Sequence, residues 1–392
     1  MDFQFTPKQQ AFRNELITFL ESQLPPNWEG QEAEGSTDKE WDFTLHMRKK
    51  LAEKGWLAMH WPEEFGGSDA SPIDQLIFKE EMTYHRVPGP DPMAVKNMGS
   101  TLLVFGTEEQ KRRFLPPVAR GEVQWCTGYS EPSSGSDLAS VQTRAVEDGD
   151  DFVVNGGKIW SSMAHRADWM LLLTRTDPES PKHRGISFLL LDMKSPGVTV
   201  QPILNMAGNH GFNQVFFEDV RVPKENLVGE LNRGWYVAAT LLDFERSGIE
   251  YSANSRRTLH DLVRFAKETQ WNGTILASDP VVRSRLATLA IEAEVGRTLA
   301  YRIAWLQSQG EVPTREASTG KLFGTELQQR VALVGMQLLG LYGQLTSASK
   351  WAPLRGRIEH NYRSSFSTTI ASGTSEIQRN IIATRGLGLP RE

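Results

Sequence analysis

The hydrophobic period of this sequence changes twice along its 392 residues. In residues 1–122 and 231–392 apolar side chains recur about every 3.6 positions, which is typical of amphipathic helices. Residues 123–230 instead contain short β-rich runs separated by glycine, proline and Asp-Gly turns. We therefore predict an α+β multidomain fold: an N-terminal helical domain at 1–122, a β-barrel or β-sandwich at 123–230, and a C-terminal four-helix bundle at 231–392.

Start and stop signals place the individual elements. Thr6-Pro7 opens a helix that Pro25-Pro26 ends, and Thr107 opens another. Four long C-terminal helical segments are predicted, at 234–268, 280–307, 316–345 and 361–385. Five strands are predicted, at 152–154, 169–173, 186–191, 198–200 and 215–217. The pair Asn155-Gly156 predicts a hairpin turn.

Composition excludes several classes of protein. A net charge of −5 gives no reason to expect a nucleic acid or an acidic membrane as a partner. No apolar run approaches the roughly 18 residues of a membrane span, and the start of the chain lacks the features of a secretory signal. The single cysteine, Cys126, fits a reducing compartment, so a cytoplasmic protein is expected. The eight histidines lack metal-ligand spacing, so we expect no metal site.

Two segments of the β domain carry candidate cofactor-binding groups. Residues 127–138, Thr-Gly-Tyr-Ser-Glu-Pro-Ser-Ser-Gly-Ser-Asp-Leu, form a Gly/Ser-rich loop after a strand-like run. Such a loop offers N–H groups and small hydroxyls to the polar edge of a flavin, although a plain turn explains it equally well. Trp160, Ser161 and Ser162 follow Asn155-Gly156 and could cover a flavin face and its N5. Ordinary core packing of the tryptophan is the alternative.

The C-terminal part adds a candidate base and two turns. Glu245 has Leu241 one turn before it and Ile249 one turn after it, and a glutamate on an apolar helix stripe is costly unless it has a function or a partner. Two alternatives are an Arg246–Glu250 pair on a solvated helix face and a buried ion pair that includes Glu245. Ser372-Gly373-Thr374 opens a helix whose N–H groups could bind a carbonyl or phosphate. Residues 337–343 on their own indicate no more than a helix cap.

In order and spacing, these segments resemble the acyl-CoA dehydrogenase family over nearly the whole chain. Residues 129–137 are similar to the first signature of the family, 373–379 to its C-terminal signature, and 155–160 to its Asn-Gly-x-Lys-x-Trp strand. Gly55-Trp56 and the segment 61–67, Trp-Pro-Glu-Glu-Phe-Gly-Gly, are similar to its N-terminal helical domain.

The resemblance implies an FAD cofactor and assigns residues to it. Thr127, Tyr129 and Ser130 would hold the polar edge of the ring, and Trp160, Ser161 and Ser162 its face and N5. Ser136 would lie near the flavin phosphate or the CoA. Thr374 and Glu376 would reach the adenine half. Gln337 and Gly340 would serve the FAD of a neighbouring subunit, which implies at least a dimer.

Three positions depart from the common family pattern. Ser372 stands where many members carry their catalytic glutamate just before Gly-Thr. A subset of the family carries the base on a bundle helix in a Glu-Arg pair, and Asp-Phe-Glu-Arg at 243–246 matches it, so Glu245 takes the role. Residues 268–280 lack the Arg-x-x-Phe-Gly segment that clamps FAD across the dimer, and Leu341 replaces a frequent glycine. These departures resemble bacterial members that act on dicarboxylyl- or steroid-side-chain CoA esters, some of which pair with a second, non-identical subunit.

The resemblance also implies the reaction. Glu245 would take the α-proton of an acyl-CoA thioester while the β-hydride passes to the flavin, leaving the trans-2-enoyl-CoA. The N–H of Ser372 would polarise the thioester oxygen, and Asp243 and Arg246 would lie at the acyl-CoA end of the helix. An electron-transfer flavoprotein would reoxidise the cofactor. A homodimer, a homotetramer or a heterotetramer with a related subunit is expected. An acyl-CoA oxidase, or a subunit that supports the FAD site of a partner, is the alternative.

Overall fold

The computed structural model describes residues 4–31, 37–243 and 248–390, with the side chains of 239–243 left out. Its helices are α1 (Pro7–Gln23), α2 (Asp38–Glu53), α3 (Pro72–Tyr84), α4 (Ser100–Phe105), α5 (Glu108–Ala119), α6 (Gly234–Asp243), α7 (Ile249–Glu268), α8 (Pro280–Ser308), α9 (Thr314–Leu339), α10 (Arg357–Thr368) and α11 (Ser375–Ile381). Its strands are β1 (Trp125–Gly128), β2 (Arg144–Asp148), β3 (Asp151–Ser162), β4 (Trp169–Arg175), β5 (Ile186–Asp192), β6 (Val198–Ile203), β7 (Phe212–Pro223), β8 (Leu227–Val228), β9 (Gln270–Trp271) and β10 (Thr274–Ile275).

Contacts divide the chain into two compact units. The sheet unit comprises Ala33–Ala70 and Pro88–Glu245, and the helical unit comprises Met1–Glu32, Ser71–Val87 and Arg246–Glu392. The order of a helical N-terminal domain, a middle β domain and a helical C-terminal domain is confirmed. The boundaries 1–122, 123–230 and 231–392 stay a prediction. Within the described residues, no helix combines the length and apolar character that crossing a bilayer requires.

Local capping explains where the predicted helices begin. The Thr6 hydroxyl accepts a hydrogen bond from the Gln9 N–H at 3.2 Å, and Oε1 of Gln9 accepts one from the Thr6 N–H at 3.0 Å. Thr107 and Gln110 form the same reciprocal pair at the start of α5. Each pair satisfies two N–H groups that a helix start would otherwise leave without a partner. The predicted starts at Thr6 and Thr107 are therefore confirmed.

The strands of the sheet unit form one eight-stranded sheet. Its order is β6-β7-β3-β2-β4-β5-β8, and β1 pairs in parallel with β4. Alternate side chains of β4 enter two different hydrophobic clusters: Leu171 packs with Trp125 and Phe188, and Leu172 packs with Cys126 and Leu189. Both faces of β4 are therefore covered, which is why its sequence reads as a continuous apolar run.

The predicted hairpin turn at Asn155-Gly156 is wrong. Both residues lie inside the twelve-residue strand β3, at a register shift against β7 between Val154 and Gly156. The Asn155 side chain exchanges two 2.9 Å hydrogen bonds with Asp219 of β7. The φ of Gly156 is +139°, which glycine tolerates and L side chains rarely adopt. The pair therefore marks a β-bulge, and the turn before it lies at Gly149-Asp150, between the paired residues Asp148 and Asp151.

Two of the predicted long C-terminal helices are divided. The segment 234–268 contains α6 and α7, and Gly248 has a φ of +70° at the start of α7. The segment 361–385 is divided between α10 and α11 by Ser372 and Gly373, whose φ values are +54° and +88°. Left-handed residues cannot continue a right-handed helix, so the helices end at these positions. The 3.6-residue apolar period of the sequence continues across both positions and therefore does not predict the breaks. Helices α7, α8, α9 and α10 enclose the core of the helical unit around Leu262, Leu286, Leu327 and Ile358.

Candidate functional site

The loop after β1 is held against the second half of β3. The Ile159 N–H donates to the Ser130 carbonyl at 2.9 Å. This bond brings Thr127 of β1, and Tyr129 and Ser130 of the loop, beside the Trp160–Ser162 segment of β3. Two of the sequence-predicted groups of residues, separated by about thirty positions in the chain, therefore lie side by side in the sheet unit.

A buried ion pair holds the loop in place. The Lys158 ammonium donates to a Glu131 carboxylate oxygen at 2.7 Å and to the Tyr129 carbonyl at 3.1 Å. The carboxylate also accepts from the N–H groups of Gln142 and Thr143, at 2.7 and 2.9 Å. Its acceptor sites are thus met by one ammonium and two backbone donors, which is the condition under which a buried carboxylate stays charged.

Burial affects the titration of this pair in opposite ways. Burial lowers the pKa of Lys158 to about 8, although the Glu131 carboxylate opposes that shift. Burial would raise the pKa of Glu131, but the Lys158 ammonium and the two N–H donors outweigh it and hold that pKa below its usual value. Sequence reasoning missed both residues as contributors to the site. Their positions within the loop signature and the Asn-Gly-x-Lys-x-Trp strand were the available signal.

Trp160, two residues after Lys158 on β3, has a left-handed backbone conformation. Its φ is +61°, and its side chain is 54% exposed. The indole packs edge-on against Phe212, with 5.9 Å between the ring centroids. A left-handed conformation is rare for a bulky residue, and such strain concentrates at ligand-binding positions. The exposed aromatic face therefore fits a planar ligand.

Two hydroxyls of the predicted ring-site residues are buried without a hydrogen-bond partner among the described residues. They are the Oγ of Ser161, whose residue is 1% exposed, and the Oη of Tyr129. Burial raises the pKa of Tyr129 above its ordinary value, so the phenol is protonated at neutral pH. Leaving a buried hydroxyl unsatisfied costs about 1–3 kcal/mol. Polar partners supplied by a bound ring would remove that cost, so these residues fit the carbonyls and nitrogens of a flavin. Ser136 lies further along the loop and is exposed.

A cleft of about 610 Å³ lies in the helical unit, between α9, α10 and α11. Its lining includes Glu326, Arg330, Tyr362, Phe366, Thr374 and Glu376. Thr374 caps α11 by accepting a hydrogen bond from the Ile377 N–H at 3.2 Å, as its position after Ser372-Gly373 predicts. Lys321 donates to the Gly373 carbonyl at 2.7 Å and holds the turn. The predicted adenine contacts Thr374 and Glu376 therefore share one cleft.

Gln337 and Gly340 lie at the end of α9 and are not among the residues that line the cleft. Gln337 is exposed and accepts a hydrogen bond from Arg285 at 2.7 Å. Gly340 has a φ of +56° and ends the helix, as a capping glycine is expected to.

The predicted base falls outside the part of the chain that the structure describes. Glu245 and Arg246 are not among the described residues, and Asp243 is described through its backbone alone, as the last residue of α6. The roles of these three residues stay predictions.

Comparison with known proteins identifies the family. Three family models match: the N-terminal domain of acyl-CoA dehydrogenase at residues 6–122, its middle domain at 126–220 and its C-terminal domain at 232–387. Acyl-CoA dehydrogenase FadE26 of Mycobacterium tuberculosis is 38% identical over 402 residues, which cover 100% of this chain and 99% of that protein. The mitochondrial short-chain specific acyl-CoA dehydrogenase of Rattus norvegicus is 32% identical, with 95% and 89% covered.

Solved structures agree with these relatives. The ChsE4-ChsE5 complex from Mycobacterium tuberculosis contains a chain that is 36% identical, with a TM-score of 0.90 and 100% of both chains covered. The Tcur3481-Tcur3483 steroid ACAD matches at 34% identity and a TM-score of 0.91, again over 100% of both chains. The protein therefore belongs to the acyl-CoA dehydrogenase family, whose members are oxidoreductases acting on CH–CH bonds.

Proposed function

We propose that this protein uses FAD to convert an acyl-CoA thioester to the trans-2-enoyl-CoA. The observation that carries the proposal is the junction of the β1 loop with β3, whose residues include strained Trp160 and two buried hydroxyls, on Tyr129 and Ser161, that have no hydrogen-bond partner among the described residues. When bound, FAD supplies the acceptor for the β-hydride. The protein contributes orientation, desolvation and proton transfer.

The proposed ring site is built from the residues at this junction. Thr127, Tyr129 and Ser130 would hold the polar edge, and Trp160, Ser161 and Ser162 would cover the face and reach N5. The Glu131–Lys158 ion pair supports this assignment, because it fixes the loop to the strand without using the side chain of any of the six proposed contact residues.

The distal half of the cofactor would use the helical unit. Thr374 and Glu376 line the same cleft and are proposed to hold the adenine half. Another residue of that cleft, Ser375, also has a buried hydroxyl without a hydrogen-bond partner among the described residues. Ser136 is exposed on the loop and is proposed to meet the flavin phosphate or the CoA.

Proton abstraction is assigned to Glu245. The thioester α-proton is too weakly acidic for a carboxylate in water, so the thioester oxygen needs hydrogen-bond donors as charge develops on it. The N–H of Ser372 is proposed as one donor. Its turn is fixed, because the Ser372 carbonyl accepts from Gln378 at 3.2 Å while Lys321 holds the next carbonyl. Asp243 and Arg246, which are close to Glu245 in the sequence, are proposed to meet the acyl-CoA.

Assembly and electron transfer extend the proposal. Gln337 and Gly340 are exposed at the end of α9, where they could reach the FAD of a neighbouring subunit. We propose a homodimer, a homotetramer or a heterotetramer with a related subunit. The two-component ChsE4-ChsE5 and Tcur3481-Tcur3483 structures favour the last of these. An electron-transfer flavoprotein is proposed as the acceptor. A stable monomer that retains FAD in light scattering would contradict the assembly.

The substrate is proposed to be an intermediate of fatty acid or steroid breakdown, since similar structures include a steroid acyl-CoA dehydrogenase.

We also propose that the family domains keep the boundaries 1–122, 123–230 and 231–392. A cytoplasmic location is supported by the single cysteine, which is buried and cannot form an intrachain disulfide. An acyl-CoA oxidase is not favoured, because the relatives compared above are named as dehydrogenases.

One experiment tests the function directly. The purified protein should be yellow, release FAD on denaturation, and bleach when acyl-CoA esters are added without oxygen. A panel of fatty acyl- and steroid-side-chain CoA esters would identify the substrate. Rapid reoxidation by oxygen alone would favour the oxidase, and colourless protein that cannot be reconstituted with FAD would refute an active dehydrogenase.

A further inference from the structure

Asn213 connects the Trp160–Ser162 end of β3 to two histidines. Asn213 lies on β7, is 0% exposed and is paired in register with Ser161. Its Nδ2 donates to the Ser161 carbonyl at 3.1 Å and lies 3.1 Å from Nδ1 of His165, while its Oδ1 lies 2.8 Å from Nε2 of His210. A carbonyl can only accept, so the amide nitrogen must face Ser161. This contact identifies which amide atom is the nitrogen, and so shows how the whole amide is oriented.

The amide orientation also determines the state of both imidazoles. Nδ1 of His165 faces an N–H donor and must accept, so its ring proton lies on Nε2. Nε2 of His210 faces the amide oxygen and must carry a proton. The two rings stack with 4.1 Å between their centroids. Burial, followed by the effects of His210 and Arg166, lowers the pKa of His165 to about 4. His165 is therefore neutral at pH 7, as this hydrogen bond requires.

The hydrogen bonds of Asn213 with Ser161, His165 and His210, here called the Asn213 network, lie where the pairing of β3 with β7 is irregular. The register of β3 against β7 shifts between Lys158 and Ser161, and Trp160 within that shift has a φ of +61°. A strained backbone persists only where its surroundings hold it in place. The Asn213 amide donates a hydrogen bond to the carbonyl of Ser161, the residue after Trp160. It can therefore hold the backbone conformation of Trp160 where the hydrogen bonding between β3 and β7 is irregular.

We propose that Asn213 is a positioning residue for the flavin, an inference that rests on the function proposed above. Its amide, held in one orientation by His165 and His210, fixes the Ser161 carbonyl. The position of that carbonyl in turn sets how the segment 160–162 meets the ring. Asn213 itself does not touch the reacting atoms in this assignment.

Asn213→Ala tests the proposal, and Asn155→Ala is the matched control. Both asparagines bridge β3 and β7 through their side chains, but Asn155 bonds to Asp219 beside the other bulge. FAD affinity would be measured by titrating the apoprotein, the ring environment by visible circular dichroism, and turnover by steady-state and single-turnover kinetics.

For Asn213→Ala we expect about tenfold weaker FAD binding, an altered visible dichroism spectrum, and a flavin reduction rate about 10-fold to 100-fold lower, the size of loss that small misplacements cause. The KM for acyl-CoA should change little. Asn155→Ala should match the unmodified protein in all of these. If Asn213→Ala behaves like Asn155→Ala, the proposal is refuted while the proposed function stands. Unmodified protein without FAD would refute both.

A second variant covers the case in which Asn213→Ala fails to fold. The double change His165→Ala and His210→Ala leaves Asn213 in place but removes the two groups that orient its amide. We expect slower flavin reduction and altered visible dichroism in the folded double variant. Unchanged values there would overturn the proposed role of the network.

Discussion

The ammonium of Lys158 lies 2.7 Å from a carboxylate oxygen of Glu131, and the two side chains are 0% and 5% exposed. The two residues belong to different elements, with Lys158 in β3 and Glu131 in the loop that follows β1. Their contact ties the proposed polar-edge residues to the proposed ring-face residues. Loss of either charge would therefore affect stability and cofactor binding together.

Removing one charge of this pair should destabilise the sheet unit. Lys158→Met leaves a buried carboxylate without its ammonium, and we expect the free energy of unfolding to fall by about 3–5 kcal/mol. Arg221→Met is the control, because Arg221 pairs with Asp148 at the surface, where both side chains are 58% exposed. Exposed ion pairs contribute about 0–1 kcal/mol. Urea denaturation followed by circular dichroism measures both variants, and equal losses would contradict the account.

The identity of the base is tested by replacing one carboxylate at a time. Glu245→Gln keeps the size of the side chain but removes its basic oxygen, so flavin reduction should slow at least ~10²-fold while FAD and acyl-CoA still bind. Asp243→Asn and Glu250→Gln are the controls. Asp243 ends α6 and Glu250 lies on α7, so neither occupies the Glu-Arg position that the family resemblance assigns to the base. Single-turnover bleaching with excess acyl-CoA measures all three. Normal bleaching by Glu245→Gln would show that the base lies elsewhere.

The strained backbone at Trp160 predicts opposite effects on stability and on binding. A left-handed residue other than glycine costs roughly 1–2 kcal/mol, which Trp160→Gly would relieve. Because the side chain is 54% exposed, little burial is lost. We expect the free energy of unfolding to stay level or rise, while FAD affinity falls. Trp305→Ala, which changes another exposed tryptophan, should leave FAD affinity unchanged. Undiminished FAD binding by Trp160→Gly would remove Trp160 from the proposed site.

Acid should weaken the fold through His165. Burial lowers the pKa of this imidazole from 6.5 to about 4, so between these values the unfolded chain binds a proton that the folded chain does not. The free energy of unfolding should therefore fall as the pH is lowered from 6.5 towards 4. His165→Gln cannot take up that proton, so its stability should depend less steeply on pH over this range. Urea titrations at several pH values compare the two, and identical slopes would contradict the prediction.

Several features of the fold could be predicted from short stretches of sequence. The caps at Thr6 and Thr107 act within four residues, and the apolar runs of β4 and β5 need no information from elsewhere in the chain. The family resemblance likewise rests on contiguous motifs, which is why it named the correct family. The prediction at Asn155-Gly156 was wrong because it needed information from a distant part of the chain. The same dipeptide suits a hairpin turn or a bulge, and the hydrogen bonds between Asn155 and Asp219 decide between them.

The sequence by itself determined the order of helices and strands and the residue types available for the flavin and the acyl-CoA, because periodicity, caps and motifs act over short distances along the chain. Tertiary structure decided which of those residues meet. Glu131 finds Lys158 27 positions away, and Asn213 finds Ser161 52 positions away. Both contacts depend on which segments become neighbours and in what register, and a shift of one residue in β3 or β7 would turn the Lys158 or Asn213 side chain to the opposite face of the sheet.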